Sequence, residues 1–302
     1  MSQNTIFGSK LQFKKPMTSR TALTSIFIFL AFIPIMGQSS VWKVTKKNKT
    51  IYLGGTIHIL REQDFPFPAE FDQAYNNAEV LVFEANIKSM QDPAMATKMM
   101  QAAVYGGDTT LQTMLSETAY HSLENAFKEV GMQIAIFNKM RVSMTVMSLT
   151  ALKFQQMGMS AVGVDMYYLD KALEEGKKVE YLESVEKQIN LLTHMGDGYE
   201  DSFVFYSLED INQADTLLES MINAWRTGES ASSEEIIQEM KSEYPVLYQD
   251  LLVNRNNEWM KSLKKFLKSK EVELVLVGDL HLYGEDGLLK QLEQNGYLVE
   301  QF

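Results

Sequence analysis

Four histidines and no cysteine make up the nucleophilic and metal-ligating imidazole and thiol inventory of this chain. Two of the four sit three residues after a glycine, in Gly55-Thr56-Ile57-His58 and Gly278-Asp279-Leu280-His281. Each follows a short β-type run, Ile51–Leu53 and Leu274–Val277. A strand that must turn sharply at its C-terminal end needs a glycine, for a positive φ or for close approach of another group. A side chain one turn later points into the crevice above the strand ends, where open α/β sheets bind ligands. Two neighbouring strands could therefore place both rings around one ion or one reacting group. The expected approach is within roughly 3–7 Å. The competing reading is that each is a satisfied loop histidine. His121 and His194 lack the strand-glycine context.

Carboxylates recur at the same kind of position. The buried-strand run Val80–Phe83 ends at Glu84, and Val179–Leu182 ends at Glu183. Asp165, at the start of the helical stretch Val164–Leu173, is a cap or a functional acid. Arg255-Asn256 is a polar cluster in an otherwise amphipathic helix, either a solvated face or an arginine reaching a buried carboxylate.

The elements that must position these groups form a pattern at both ends. Val41–Thr45 and Ile51–Leu53 read as a hairpin around Lys46–Lys49. Both ends then read strand, Gly-x-x-His, loop, helix, strand, with helices over 69–76 and 286–294 and a last strand at Tyr297–Val299. Between residues 88 and 270 apolar residues recur at three and four, as in Leu123, Ala126, Phe127 and Val130 before Gly131. Ser232 and Glu235 read as a capping-box pair. The fold class is α/β: a central sheet from two related strand-GxxH-helix-strand halves, with helical insertions at about 88–160 and 190–270. The methionines of this region read as core filling rather than a binding face.

The first 39 residues contain Lys10, Lys14, Lys15 and Arg20 and no acid, and Ala22–Met36 is an apolar run followed by small or polar residues. This is the layout of a secretory signal peptide; the run is shorter than the ~20 residues a spanning helix needs. The expectation is a periplasmic or secreted protein starting between about residues 38 and 41, or one tethered outside by an uncleaved anchor, with residues 40–302 as a single domain. Without cysteine there is no disulfide framework, thiolate site or cysteine nucleophile. The net charge of −11 argues against a nucleic-acid partner.

The runs IYLGGTIHIL and ELVLVGDLHLYGEDGLL, with AEVLVFEANI, GVDMYYLDKALEEGKKVEYLESVEKQ and LLVNRNNEWM between them, resemble the TraB/GumN family. That family includes pheromone-shutdown proteins and is related to the Tiki metalloproteases. The likeness covers essentially residues 41–302, departing at Met140-Arg141 where a proline-tryptophan pair would be expected. It implies His58, Glu84 and His281 as metal or catalytic residues, with Asp165, Glu183, Arg255 and Asn256 in further typical stretches.

The expected function is a metal-dependent hydrolase acting on a peptide or small-molecule substrate. Two imidazoles and a carboxylate suffice for a catalytic zinc with an open position. Manganese or cobalt would suit a second carboxylate such as Asp279 or Glu183. One alternative is metal-free hydrolysis with a histidine base and Glu84 orienting it or activating water. Another is a module that sequesters a peptide without cutting it. No GxSxG elbow offers a serine route. Alanine at His58, Glu84 or His281 is expected to abolish activity at little cost in stability.

Overall fold

The computed structural model describes residues 39–159 and 162–302. The export-signal segment lies outside the described residues.

Among the described residues, six strands form one sheet: β1 (Val41–Lys46), β2 (Lys49–Thr56), β3 (Val80–Phe83), β4 (Lys178–Tyr181), β5 (Glu273–Gly278) and β6 (Leu298–Gln301), in the order β4-β3-β5-β2-β1-β6. β2, β5, β3 and β4 run parallel, with Thr56 opposite Gly278 and Phe83 opposite both Leu276 and Tyr181. β1 returns antiparallel on β2, and β6 pairs antiparallel with β1 at the far edge. The terminal segments thus share an opening but not an ending, since β3 joins the parallel block and β6 does not.

Alternation along β5 explains its place at the centre. Leu274 and Leu276 enter one apolar core with Phe71, Tyr75, Tyr168 and Trp225, while Val275 and Val277 enter the other. A strand buried on both faces reads as a continuous apolar run because both sides need such side chains. α1 (Ala69–Asn77) crosses from β2 to β3. Then follow α2 (Pro93–Ala102), α3 (Leu111–Met114), α4 (Glu117–Glu129), α5 (Val142–Gln156) and α6 (Val164–Glu174), which feeds β4. After β4 come α7 (Val185–His194), α8 (Glu200–Thr227), α9 (Ala231–Glu243) and α10 (Pro245–Tyr248). A π-helical segment, Gln249–Val253, leads into α11 (Asn254–Phe266), and α12 (Leu288–Gln294) joins β5 to β6. Gly228, with φ +65°, ends α8 in the left-handed conformation that glycine takes at least cost.

The Ser232–Glu235 pair does not open α9. That helix begins earlier, at Ala231, and its N-cap Ser230 makes no side-chain cap bond. Ser233 inside its first turn is buried instead, its hydroxyl bonded to Asp279. The two key glycines likewise have a different reason from a positive φ. Neither Gly55 nor Gly278 has one; Gly278 sits at φ −50°. A Cβ on Gly55 would stand 2.2 Å from Asp279 Oδ1 and 2.3 Å from Ser40 Oγ, so close approach alone demands glycine there.

Candidate functional site

The C-terminal ends of four adjacent parallel strands deliver His58, Glu84, Glu183 and His281 to one side of the sheet. Gly278 lies where three of them meet. A Cβ built on it would stand 3.4 Å from Glu84 Oε1, 3.6 Å from His281 Cδ2 and 3.7 Å from His58 Nε2. The two rings therefore flank one small space, and Glu84 closes it from a third side. The carboxylate is anchored there: Gly278 N–H donates to Oε1 at 2.7 Å, and Gln188 Nε2 donates to Oε2 at 3.2 Å.

Arg255, buried in α11, binds the group together. Its Nη2 donates to Glu84 Oε2 at 2.5 Å and to Glu183 Oε1 at 2.7 Å, and its Nε donates to Glu183 Oε1 at 3.1 Å. Its Nη1 donates to His281 Nε2 at 3.0 Å and to the Leu251 carbonyl at 3.3 Å. Of the two sequence readings for Arg255, reach to buried carboxylates is what the fold shows. Burial works against the charge of Glu84, yet Arg255 foremost holds its pKa down at about 2.

Asn256 sets the chemistry of His281. Its Nδ2 donates to the carbonyls of His281 and Asp286, at 3.2 and 2.9 Å, which turns its Oδ1 onto His281 Nδ1 at 2.7 Å. Nδ1 therefore carries the ring proton, and the Nε2 lone pair accepts from Arg255. Burial, reinforced by the charges of Arg255 and His58, pushes the pKa of His281 down to about 3. This imidazole stays neutral, packed against Trp259 with ring centroids 4.4 Å apart.

His58 is placed in the opposite sense. Its Nδ1 is 3.2 Å from Asp165 Oδ1, its side chain is 60% exposed, and it lines the crevice. Desolvation acts to lower its pKa, but pairing with Asp165 and the charge of Glu84 outweigh it and raise the value to about 9. Asp165 is thus no helix cap: Gly163 holds the N-cap position and Asp165 faces the histidine.

The crevice encloses about 510 Å³, with Ile59, Phe83, Met90, Met147, Leu169 and Leu191 among its apolar walls. Two polar residues on it were missing from the sequence reading. Gln188 is the ligand of Glu84 already described. Thr56 is 3% exposed, and its Oγ1 has no hydrogen-bond partner among the described residues. Its place two residues before His58 on a strand end was the one available signal.

Asp279 does not join the cluster. Its carboxylate turns to Ser233 Oγ at 2.8 Å and to Ser40 Oγ, and burial raises its pKa. Residues two apart in this tight turn diverge, so the aspartate faces Ser40 and Ser233 while His281 faces Arg255 and Glu84. His121 sits exposed on α4 beside Glu117 and Glu124, and His194 Nδ1 contacts the Asn190 carbonyl on α7. Arg141, at the departure from the family pattern, donates to the Thr193 carbonyl at 2.7 Å and pairs with Asp197.

His281 Nε2 and Glu84 Oε2 accept from Arg255, and Glu84 Oε1 accepts from the Gly278 amide, so in this arrangement these candidate ligand atoms are already engaged. Among the described residues no group of three His, Cys, Asp or Glu is disposed to hold a metal.

Comparison with known proteins gives the same outline. An uncharacterized protein, YbaP, of Escherichia coli (strain K12) is 26% identical over 250 residues, covering 81% of this chain and 88% of its own. The Shigella flexneri YbaP matches to the same extent. No solved structure matches. The profile of the TraB/PrgY/gumN family spans residues 40–301, across every strand and every residue of the site, and the chain belongs to that family.

Proposed function

We propose that this protein is a hydrolase of ester or amide bonds in which His58 moves the proton and no metal ion is needed. The observation that carries the reading is the orientation of His58: Nδ1 faces Asp165 Oδ1 at 3.2 Å, which leaves Nε2 toward the space above Gly278. In its neutral form, Nε2 accepts a proton from water as that water adds to the acyl carbon. The protonated ring then returns the proton to the departing alkoxide or amine, so the C–O or C–N bond breaks and acid and alcohol or amine result. The unpartnered Thr56 hydroxyl is the donor available to the carbonyl oxygen as charge develops there. Arg255 has its donors committed and acts as a positioning residue for Glu84, Glu183 and His281. On this reading the two Gly-x-x-His segments are halves of one frame, one supplying the base and the other a neutral wall.

The metal-dependent reading requires Arg255 to withdraw from Glu84 and His281, and the sequestering reading requires that nothing be turned over. One experiment separates all three: a panel of chromogenic esters and amides, assayed before and after chelation, with metal analysis of the purified protein. We expect turnover that survives chelation and is lost in His58→Ala, with His121→Ala and His194→Ala active. A stoichiometric ion lost in His58→Ala, with activity restored only by zinc, manganese or cobalt, would establish the metal enzyme instead. Saturable binding without turnover would leave the binding module. For location, we propose export directed by residues 1–39, and intact Met1 in a cytosolic fraction would overturn that.

A further inference from the structure

The crevice at His58 borders a second hollow of about 410 Å³, walled by α5, α8, α9 and the π-helical segment. Met147 of α5 and Leu251 of the π segment line both cavities. Leu280, immediately before His281, lines the second. Leu251 is tied to the site through its backbone, because its carbonyl accepts from Arg255 Nη1. The wide π turn that carries it is a distortion found often at functional sites. The second hollow therefore adjoins the crevice that His58 lines.

Its wall is mostly apolar, with the Tyr206 hydroxyl and the carboxyls of Asp210 and Glu239 as its available hydrogen-bonding groups. Thr150 and Ser207 both line it, yet their hydroxyls donate back to their own helices, to the carbonyls of Val146 at 3.0 Å and Phe203 at 2.8 Å. The remaining lining is largely leucine, isoleucine, phenylalanine and methionine, and methionine adapts its shape to a flexible guest. A peptide backbone placed there would give up its water and find few partners beyond those carboxyls and the Tyr206 hydroxyl. A methylene chain gains by the same transfer. The two carboxyl side chains on the wall, Asp210 and Glu239, disfavour an anionic headgroup, so a guest with a charged end enters tail first.

We propose that this hollow receives the alkyl chain of the substrate, and that the bond hydrolysed at His58 joins a long acyl chain to its alcohol or amine. The inference rests on the hydrolase reading for the reaction, but the chain-binding part can be measured without it. Water supplies the hydroxyl that remains on the fatty acid; the proton passes through His58 to the leaving group.

Two measurements test it. In p-nitrophenyl esters running from acetyl to dodecanoyl, kcat/KM should rise roughly fourfold per added methylene until the hollow is filled. Met147→Trp, at the junction, should lower the dodecanoyl-to-acetyl ratio at least tenfold. Independently, dansyl-undecanoic acid should bind saturably to wild type and to His58→Ala, and be displaced by dodecanoate but not by an apolar heptapeptide. Turnover of the acetyl ester with no chain-length dependence would overturn the inference and leave the hydrolase. Saturable, dodecanoate-displaced binding without turnover of any ester would overturn the hydrolase and keep the chain site. Displacement by the heptapeptide would replace the acyl chain with a peptide.

Discussion

Arg255 commits all five of its N–H groups, to Glu183, Glu84, His281 and the Leu251 carbonyl. Removing it strands two buried carboxylates, so Arg255→Ala should cost about 3–5 kcal/mol in urea unfolding. Arg255→Lys should recover only part of that, because an ammonium cannot reproduce the planar fork. His58 makes a prediction of the other kind. Its free base is the reacting form, so kcat/KM should climb with pH through about 9, and Asp165→Asn should move that limb down. A profile flat from pH 6 to 10 would remove His58 as the base. The raised pKa also means that the Asp165 pair stabilises the fold fully below the unfolded value of 6.5 and stops doing so as pH passes about 9. With the ring 60% exposed, solvent screens the pair and that contribution is small. The expectation that alanine at each site position costs little stability fits His58 only. His281 is hydrogen-bonded on both nitrogens and buried against Trp259, and Glu84 is ion-paired beneath it.

The two strand-end glycines separate packing from chemistry. Gly55→Ala drives a methyl into Asp279 and Ser40, and should lower Tm by several degrees, as measured by circular dichroism. Gly278→Ala meets its neighbours at 3.4 Å or more, ordinary contact, yet it fills the space between His58, Glu84 and His281. That variant should fold with a near-normal Tm and lose activity. Equal damage from both would mean that the space above Gly278 is not where substrate sits. The strands at the centre of the sheet were legible in the sequence because Leu274–Val277 and Val80–Phe83 are apolar runs of strand length bounded by polar residues or glycine. Asp165 was not, since a short acid at a helix start has the same pattern whether it caps or faces a histidine. Thr56 gave no signal beyond proximity, and the misplacement of Asp279 came from treating a tight turn as though it aimed both residues one way.

Across the whole molecule, the sheet separates two apolar cores, and the ionised cluster lies at the strand ends between them. Two buried members of it, His281 and Glu84, lose stability in acid, opposite to the His58 pair. His281, lowered from 6.5 to about 3, and Glu84, lowered from 4.5 to about 2, each add stability present above the unfolded value. Each loses it as pH falls through the folded one. Unfolding free energy should therefore drop from about pH 6.5 downward, and less steeply in His281→Asn, which has no proton to gain. Acid titrations of the two proteins that run parallel would refute this. The helical half was legible as helix but not as a container. Met147, Leu218 and Met221 keep helical spacing whether they meet another side chain or an open volume, so periodicity could not reveal the hollow along α8.

Ser39 and Ser40 are fully buried just ahead of β1; Ser40 donates its amide to the Trp225 carbonyl and its hydroxyl to Asp279, two residues from His281. Gln301, on the last strand, holds the Ser39 carbonyl at 3.0 Å. These two serines work as a latch between the first strand, the last strand and the loop that carries His281. Trimming the chain back to Val41, by a protease or at the bench, would leave every strand and every site residue in place and still undo the latch. The boundary that matters for an intact site therefore falls two residues earlier than the boundary of the first strand.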